Sequence, residues 1–395
     1  MALLGHWLDV QRVPGTGALI RPEPFGGTIS FRRPEMLVLL DRAWMGMREA
    51  EVDSRRALDP AVPFEAHLTL GRACRSGCKA CYIDARPEAG PALGFEEWKD
   101  VLCHLASLGV FHVALGGGES LAFDDLLGLA RHARQLGMTP NLSTAGLDLT
   151  PRWAERLSVF ERVHLSLDGA DEASYRAVRG RDGFGSALHA LRILRAYHPR
   201  VGINCIVARS NIDSLGELFR LLDRERVREA ELLRFKPVGR GGAHFEQMDW
   251  TAEQARSVVR NVLRWSLRFR IRVRLDCSFT PMVCAAGYRP ERLVRLGLAG
   301  CVAGTWLVSI DPEGRLSGCS FDDDSRAHWR DLGRPNPDLD RYRLWLDRAP
   351  EPCASCAYLA ICRGGCHVVA RYVCGDFFAP DPACPRVQAT SGSDR

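Results

Sequence analysis

The chain has 395 residues, of which 46% are hydrophobic and 26% are charged. These are ordinary values for a globular protein with a substantial core, and they exclude a disordered or fibrous architecture. Lys and Arg number 53 against 48 Asp and Glu, which gives a net charge of +5. Over this length the excess is too small to indicate nucleic acid or an anionic membrane as the main partner.

No apolar run approaches the ~20 residues that a membrane helix needs. The opening segment MALLGHWLDVQRVPG also lacks the basic start and the apolar stretch of a secretory signal, so we expect the protein in the cytoplasm. In that reducing compartment the 15 cysteines favour metal ligation over disulfides. Their spacing is therefore the most informative feature of the sequence.

Short β-like runs alternate with amphipathic helical stretches over residues 61–276, which is typical of βα units around a parallel sheet. The predicted strands lie at 64–70, 111–117, 139–145, 162–169, 201–209 and 229–239. The predicted helices include 95–109, 123–137, 184–199 and 251–270. Six units are fewer than a closed TIM barrel contains. The sequence therefore predicts an α/β fold, a partial (β/α)6 TIM-type barrel.

Two further regions flank the predicted barrel. Residues 277–395 contain short strands, turns and closely spaced cysteines, which predict a second domain stapled by metal. Residues 1–60 predict a short β element with Gly26-Gly27 at its turn, followed by one helix. We therefore expect three parts, at residues 1–60, 61–276 and 277–395.

Three cysteines follow the first predicted strand, in the segment LTLGRACRSGCKACYIDA. Cys74, Cys78 and Cys81 have C-x3-C-x2-C spacing on the carboxyl side of the strand, where barrel folds place their chemistry. A structural zinc or iron–sulfur site normally takes four protein ligands, so three cysteines leave one coordination position open for substrate or cofactor. The alternative is a zinc site whose fourth ligand is distant in sequence.

This motif resembles that of the radical S-adenosylmethionine superfamily, which places an aromatic residue beside the third cysteine, as Tyr82 is here. The family's glycine-rich GGEP segment has a counterpart in GGGES at 116–120. STAG at 143–146 and SLDG at 166–169 are similar to further family segments, although each of these residues alone is as typical of a turn or cap. The residues through which the resemblance implies S-adenosylmethionine binding are Tyr82, Gly116, Gly117, Gly118, Glu119, Ser143, Ser166 and Asp168.

The same resemblance implies the cofactors and the chemistry. Cys74, Cys78 and Cys81 would bind a [4Fe–4S] cluster with one open iron, which S-adenosylmethionine chelates. Reduction by a one-electron donor such as flavodoxin or ferredoxin then gives a 5′-deoxyadenosyl radical that abstracts hydrogen from the substrate. The cofactor carries the hard chemistry and the protein positions it. No catalytic acid or base is identified by the sequence.

The C-terminal cysteines resemble the SPASM extension of this superfamily, which carries two auxiliary [4Fe–4S] clusters. By that pattern one cluster takes Cys353, Cys356, Cys362 and Cys384. The other takes Cys301, Cys319 and Cys366 together with either Cys277 or Cys284, between which the spacing does not decide. Cys103 in a helix and Cys205 in a strand are expected in the core. A zinc ribbon at 353–366 is the alternative, although it leaves the outlying cysteines unused.

The core is similar to peptide maturases of the mycofactocin type, which implies an oxidative change within a ribosomally made peptide: a cross-link, a decarboxylation or a dehydrogenation. Residues 17–41 are similar to small chaperones that capture a leader peptide as an added strand, so a leader peptide or a leader-binding chaperone is an expected partner. Two alternatives stay open. One is an oxidoreductase acting on a small alcohol, sugar or tetrapyrrole intermediate, and the other is a zinc-stapled binding protein.

Two smaller features concern acid–base groups. Anaerobic sulfatase-maturing enzymes carry an Asp, proposed as a base, directly after the second cysteine of the auxiliary motif, whereas Ser320 stands there and the acidic run 322–324 follows. This run predicts either a base or a solvated turn. Arg234, Lys236 and Arg240 predict either a small basic mouth for a carboxylate or solvated surface charges.

Overall fold

A computed structural model of the chain describes residues 63–88, 90–110, 112–295 and 298–391. The element predicted within residues 1–60 lies outside this range. The described residues form a ten-stranded sheet. Its strands are β1 Glu65–Thr69, β2 His112–Gly116, β3 Thr139–Thr144, β4 Val163–Ser166, β5 Val201–Val207, β6 Glu229–Arg234, β7 Arg272–Leu275, β8 Leu307–Ile310, β9 Arg315–Ser317 and β10 Ala327–His328. Their order across the sheet is β10-β9-β8-β1-β2-β3-β4-β5-β6-β7.

The sheet is parallel from β8 through β1 to β7, and β9 and β10 are added antiparallel beside β8. All six predicted strands are present, each somewhat shorter than predicted, and the predicted α/β partial barrel is confirmed. Strand β7 was not predicted. Its sequence RVRL alternates arginine with apolar residues, unlike a strand buried on both faces. Among the described strands it pairs with β6 alone, at the edge of the sheet.

Helices alternate with the strands, as parallel connections require. The four helices named from the sequence are all present, and α1 shows why: its buried side chains Trp98, Val101, Leu102 and Leu105 form one stripe of helical spacing. The helices of the barrel are α1 Phe95–Leu108, α2 Leu126–Gln135, α3 Pro151–Arg156, α4 Glu172–Arg179, α5 Phe184–Tyr197, α6 Leu215–Arg224, α7 Phe245–Met248 and α8 Ala252–Phe269.

The C-terminal part joins the barrel through the sheet itself, because β8 pairs with β1 and places Ser309 opposite His67. The predicted domain boundary at 276/277 therefore stays a prediction, since backbone pairing crosses it. Among the described residues, no helix has both the length and the apolar character needed to cross a membrane. The helices of this part are α9 Thr280–Ala285, α10 Pro290–Arg295, α11 Pro337–Leu344, α12 Leu359–Cys362, α13 His367–Cys374 and α14 Pro385–Ser391.

Part of the strand layer is polar, where a barrel of this type ordinarily packs branched apolar side chains. His67 Nε2 lies 2.9 Å from Glu65 Oε1, and His164 Nδ1 lies 2.7 Å from Asn204 Oδ1 on the neighbouring strand. Glu65 is in register with the buried His112. These contacts place hydrogen-bonding groups within the strand layer, from the first residues of β1 and β2 to the middle of β4 and β5.

Candidate active site

The loop that carries Cys74, Cys78 and Cys81 leaves β1 and is fixed by backbone and arginine contacts. The Cys74 amide donates to the Arg86 carbonyl oxygen at 2.7 Å. Arg240 Nε donates to the Cys78 carbonyl oxygen at 2.9 Å, and its guanidinium pairs with Asp84 at 2.8 Å. The loop backbone is thus held at Cys74 and at Cys78 by residues that follow the motif.

Hydrogen-bond donors reach the sulfur atoms of this cysteine triad. Cys78 Sγ accepts from Arg179 Nη1 at 3.2 Å. Cys74 Sγ and Cys81 Sγ accept backbone amides at 3.4 Å and 3.3 Å. Such donors stabilise thiolates and tune a cluster bound to them. The donor set therefore fits a cluster held by three thiolates.

Asp168, predicted as a cofactor contact, is fully buried and ion-paired with Arg179. Its second carboxylate oxygen accepts the Ile206 amide at 2.6 Å. Because Arg179 in turn reaches Cys78 Sγ, the contacts seen for Asp168 orient that arginine at the cysteine triad. A direct contact of Asp168 with S-adenosylmethionine stays a prediction.

The glycine-rich segment packs against the start of the triad loop. The Gly118 amide donates to the Gly71 carbonyl oxygen at 2.8 Å. A Cβ at Gly117, where φ is +139°, would lie 2.7 Å from that same oxygen, and a Cβ at Gly118 would lie 2.3 Å from the Ala73 carbonyl oxygen. In the described part of the chain, no atom other than those of its two sequence neighbours lies within 4 Å of a Cβ at Gly116. Two of the three glycines are therefore required by the close approach of the two loops.

Glu119 ends this segment, and its carboxylate is enclosed by the end of β3. It accepts hydrogen bonds from the Thr144 hydroxyl and from the amides of Leu121 and Ala145, the latter two at 3.1 Å and 3.2 Å. Burial raises the pKa of Glu119, and these hydrogen bonds oppose the rise. The observed contacts join β2 to β3, and a role of Glu119 toward the cofactor stays a prediction.

The predicted serines lie at neighbouring strand ends. Asn204 Nδ2 donates to Ser143 Oγ at 3.1 Å, and both residues line a cavity described below. Ser166 is half-buried and in register with Asn204 on the adjacent strand. The structure thus brings polar groups of β3, β4 and β5 together.

A cavity of about 160 Å³, here called the inner cavity, lies between the strand ends and the C-terminal part of the chain. Tyr82 and Gly116 line it, as do four cysteines: Cys277, Cys301, Cys319 and Cys366. A hydrogen bond with Cys301 together with burial raises the pKa of the Cys277 thiol well above its usual range. Burial also raises the pKa of Cys366 to about 12. Such thiols keep their protons until a metal displaces them.

A second cavity, of about 30 Å³, is lined by five cysteines: Cys284, Cys353, Cys356, Cys362 and Cys384. Cys284 is hydrogen-bonded to Cys362. Burial raises the pKa of Cys353 to about 12. Of the two residues between which spacing does not decide, Cys277 therefore lies with Cys301, and Cys284 lies with the other set.

No three His, Cys, Asp or Glu side chains within the described ranges converge closely enough to hold a single metal ion. The ligands of a [4Fe–4S] cluster bind separate irons and are spread around the cluster. The grouping of the cysteines around two cavities is therefore the observation that indicates which of them could bind the same cluster.

Of the two cysteines expected in the core, one is not there. Cys103 is exposed, because it lies off the buried stripe of α1, and its sulfur is 3.5 Å from His132 Nε2. Cys205, by contrast, is buried as expected.

Arg234, Lys236 and Arg240 form neither a basic mouth nor a set of solvated surface charges. Arg234 is 1% exposed and pairs with Asp381 at 2.7 Å. Lys236 is also buried and pairs with Asp276, and Arg240 holds the triad loop. Their partners lie up to 162 positions away, beyond the reach of local sequence patterns.

An open parallel sheet with a cysteine triad after its first strand defines an enzyme of the partial-barrel class that holds its cofactor at the strand ends. Residues 68–222 match the radical SAM superfamily. The chain is 30% identical over 344 residues to mycofactocin maturase MftC of Mycolicibacterium smegmatis, covering 83% of this chain and 84% of that protein. It belongs to the radical SAM superfamily, which implies a [4Fe–4S] cluster and S-adenosylmethionine as its cofactors.

Further relatives match over most of their length. PqqA peptide cyclase of Rhodopseudomonas palustris is 28% identical, over 85% of this chain and 93% of that protein. An AdoMet-dependent heme synthase of Nitratidesulfovibrio vulgaris is 26% identical, over 79% and 89%. The crystal structure of Streptococcus suis SuiB bound to S-adenosylmethionine superimposes with a TM-score of 0.66 at 16% identity, covering 82% of this chain and 77% of that one. That likeness shows the shared fold.

Proposed function

We propose that this chain is a peptide maturase, which uses S-adenosylmethionine radical chemistry to oxidise a ribosomally made peptide. The observation that carries the proposal is the inner cavity, which joins Tyr82 and the strand ends of the barrel to four cysteines of the C-terminal part. A peptide side chain in that space would lie beside a one-electron acceptor. Relatives named mycofactocin maturase and PqqA peptide cyclase support a peptide as the substrate class.

Cys74, Cys78 and Cys81 would hold the cluster, and with S-adenosylmethionine bound it supplies a 5′-deoxyadenosyl radical that takes a hydrogen atom from the substrate. The chain's own residues prepare this site. Arg240 fixes the triad loop, and Arg179, oriented by Asp168, donates to Cys78 Sγ.

The strand ends would bind the cofactor's polar groups. Gly116 leaves open space at the end of β2, and Ser143 and Asn204 offer a hydroxyl and an amide to the inner cavity. Gly117 and Gly118 supply the close loop contact that sets the position of Gly116. Together with Tyr82, Glu119, Ser166 and Asp168, these residues form the proposed S-adenosylmethionine site.

Two auxiliary clusters are assigned to the two cysteine cavities. The inner one takes Cys277, Cys301, Cys319 and Cys366, and the outer one takes Cys353, Cys356, Cys362 and Cys384, with Cys284 beside it. The buried Lys236–Asp276 pair lies next to the first set. Fixed charges and burial tune the potentials of iron–sulfur centres, so the first set is suited to take an electron from a substrate radical.

The three parts of the chain and the external electron donor are assigned by the same family pattern. Residues 61–276 would be the radical barrel and 277–395 the SPASM domain, while residues 1–60 would bind a leader peptide, with or without a separate chaperone. A flavodoxin or ferredoxin would deliver the starting electron.

The test uses anaerobically reconstituted full-length enzyme with a reductant and S-adenosylmethionine. Its probe is a synthetic peptide translated from any short reading frame found beside the gene, here called the neighbouring-frame peptide, and the PqqA peptide serves for comparison. We expect the neighbouring-frame peptide to stimulate 5′-deoxyadenosine formation and to lose the mass of two hydrogens, with or without that of carbon dioxide. Unchanged peptide with peptide-independent 5′-deoxyadenosine would contradict the proposal.

A pair of matched variants separates ligand loss from thiol loss in general. Cys74→Ala is expected to abolish 5′-deoxyadenosine formation, because it removes a ligand from the cysteine triad. Cys103→Ala removes an exposed thiol on α1 and is expected to leave activity unchanged. Equal activity of the two variants would remove the basis for the triad assignment.

A small-molecule substrate is the second candidate, favoured by the similarity to an AdoMet-dependent heme synthase. Tetrapyrrole intermediates carry several carboxylates, which call for free cations in the binding space. Lys236, the lysine that lines the inner cavity in the described part of the chain, is instead paired with Asp276. Parallel incubations with a carboxylated tetrapyrrole and with the neighbouring-frame peptide distinguish the two substrates by mass spectrometry.

A further inference from the structure

One exposed face of α8 combines arginines with leucines. Its members recur every three or four positions from 256 to 267, which places them on one side of a helix with 3.6 residues per turn. Leu263 is 41% exposed and Leu267 is 71% exposed, where the outer face of a helix ordinarily carries polar side chains. This face, here called the arginine–leucine stripe, consists of Arg256, Arg260, Leu263, Arg264 and Leu267.

The arginines of the stripe lie side by side without acidic partners. Arg256, Arg260 and Arg264 follow one another at intervals of four, and like charges at that spacing disfavour a helix. In the described ranges, no carboxylate lies within 4 Å of these three guanidinium groups. Elsewhere on the surface arginines are paired, as Arg192 is with Glu225 at 2.6 Å. The stripe therefore presents positive charge that the chain itself does not neutralise.

Helix α8 packs against the two helices that carry the outer set of cysteines. It contacts α9, which contains Cys284, and α14, which directly follows Cys384. A Cβ built on Gly216 of α6 would lie 2.8 Å from the Trp265 ring, so position 265 of α8 faces α6. Positions 260 and 267 lie on the far side of the helix from 265. The stripe thus faces away from α6, on a helix that borders the outer cysteines.

The cysteine cavity of about 30 Å³, here called the outer cavity, lies near the protein surface. Its four proposed cluster ligands are all half-buried, whereas Cys301 and Cys366 of the inner cavity are buried. Arg386 of α14 lines the outer cavity and is exposed, and its guanidinium carbon lies 4.7 Å from the centre of the Tyr358 ring. A cluster in this position is accessible to an electron carrier that binds at the surface, and positive charge surrounds the approach.

We propose that an acidic one-electron carrier protein docks on the arginine–leucine stripe and passes its electron to the cluster of the outer cavity. This inference rests on the proposed function, which places an iron–sulfur cluster there. The carrier loses one electron and the cluster gains it, and no bond forms or breaks. A small apolar centre within a charged rim suits a transient redox partner, and opposite charges steer the encounter.

The test uses oxidised holoenzyme and a reduced flavodoxin of net negative charge. Freeze-quenched samples give the rate at which the paramagnetic resonance signal of the reduced outer cluster appears, and the signal is identified by its loss in Cys353→Ala. The triple variant Arg256→Gln/Arg260→Gln/Arg264→Gln removes three charges at little cost in helix propensity. Steering raises association rates about 10–10³-fold, so we expect reduction of this variant at low salt to be slower by about tenfold or more.

Two comparisons separate docking from other effects. Dithionite is a small reductant that needs no docking surface, and it is expected to reduce the triple variant at the wild-type rate. Arg131→Gln/Arg152→Gln/Arg156→Gln is the matched control, because it removes the same charge from exposed arginines of α2 and α3. A wild-type rate of reduction by flavodoxin in the stripe variant, or equal slowing in both triple variants, would overturn the proposal.

A second measurement needs no electron transfer. Titration calorimetry of oxidised flavodoxin with the full chain is expected to show salt-sensitive binding that the stripe variant weakens by about tenfold or more and the control variant does not. Phosphatidylglycerol vesicles and duplex DNA are titrated in parallel. If the stripe variant loses binding to one of these but binds flavodoxin as the wild type does, the proposal is refuted. If elemental analysis finds no outer cluster, the proposed cluster assignment fails, and flavodoxin binding alone then decides on the stripe.

Discussion

Replacing Asp168 by Asn tests whether the SLDG aspartate positions the cysteine triad or mainly contacts the cofactor. Asn keeps the shape and an oxygen for the Ile206 amide, but it removes the charge that faces Arg179. Asp168 is 0% exposed and Arg179 8% exposed, so the arginine is left charged and without this partner in the interior. Breaking a buried pair in this way costs about 3–5 kcal/mol.

The measurement is anaerobic urea unfolding of the holoenzyme followed by circular dichroism, together with iron per chain. We expect a lower urea midpoint and less bound iron, because Arg179 is no longer oriented at Cys78 Sγ. Asp148→Asn is the matched control: Asp148 pairs with Arg75 at the surface, with side chains 77% and 69% exposed, and little change is expected. Wild-type stability and iron in Asp168→Asn, with weaker binding of S-adenosylmethionine alone, would refute the positioning role.

Three further changes test other contacts. Gly118→Ala places a Cβ 2.3 Å from a backbone oxygen and should destabilise the protein by about 1–3 kcal/mol, as measured by thermal unfolding. Gly116→Ala is the control, because its Cβ enters open space and should leave the stability unchanged. Burial lowers the pKa of His198, so its contribution to stability is present above the ordinary histidine pKa of 6.5 and is lost as pH falls below that value. The wild-type urea midpoint should therefore fall between pH 7.5 and pH 5.5, which lie about one unit either side of 6.5. His198→Gln removes the titrating group and should show a smaller fall. Cys277→Ala should lower iron by about four per chain, and Cys284→Ala by less, as measured by elemental analysis.

The repeating part of the fold follows from local sequence patterns. Strands such as Val201–Val207 and helices such as Phe184–Tyr197 carry their own periodicity, so their existence and order are predictable. Strand β7 was not predicted from the sequence, because an edge strand need not be apolar on both faces. The pairing of β8 with β1 was not predicted either, because no local sequence pattern specifies which strands distant in sequence become neighbours in the sheet.

The same distinction applies to the site. The cysteine triad and the C-terminal cysteine set are predictable because their spacing is short and unusual. The hydrogen bond between Ser320 and His67 is not predictable, since the two residues are 253 positions apart and each is an ordinary residue in its own segment. The buried ion pair between Arg234 and Asp381 is not predictable from the sequence for the same reason. Without knowledge of its partner, an arginine at the end of a strand is interpreted as a surface charge.

The most direct test of the central claim is elemental analysis of the anaerobically purified and reconstituted chain for iron, acid-labile sulfide and zinc. Three [4Fe–4S] clusters, one at the cysteine triad and one at each cysteine cavity, predict about twelve irons and as many sulfides per chain. About four irons would contradict the auxiliary clusters, and zinc with little iron would contradict the radical chemistry itself.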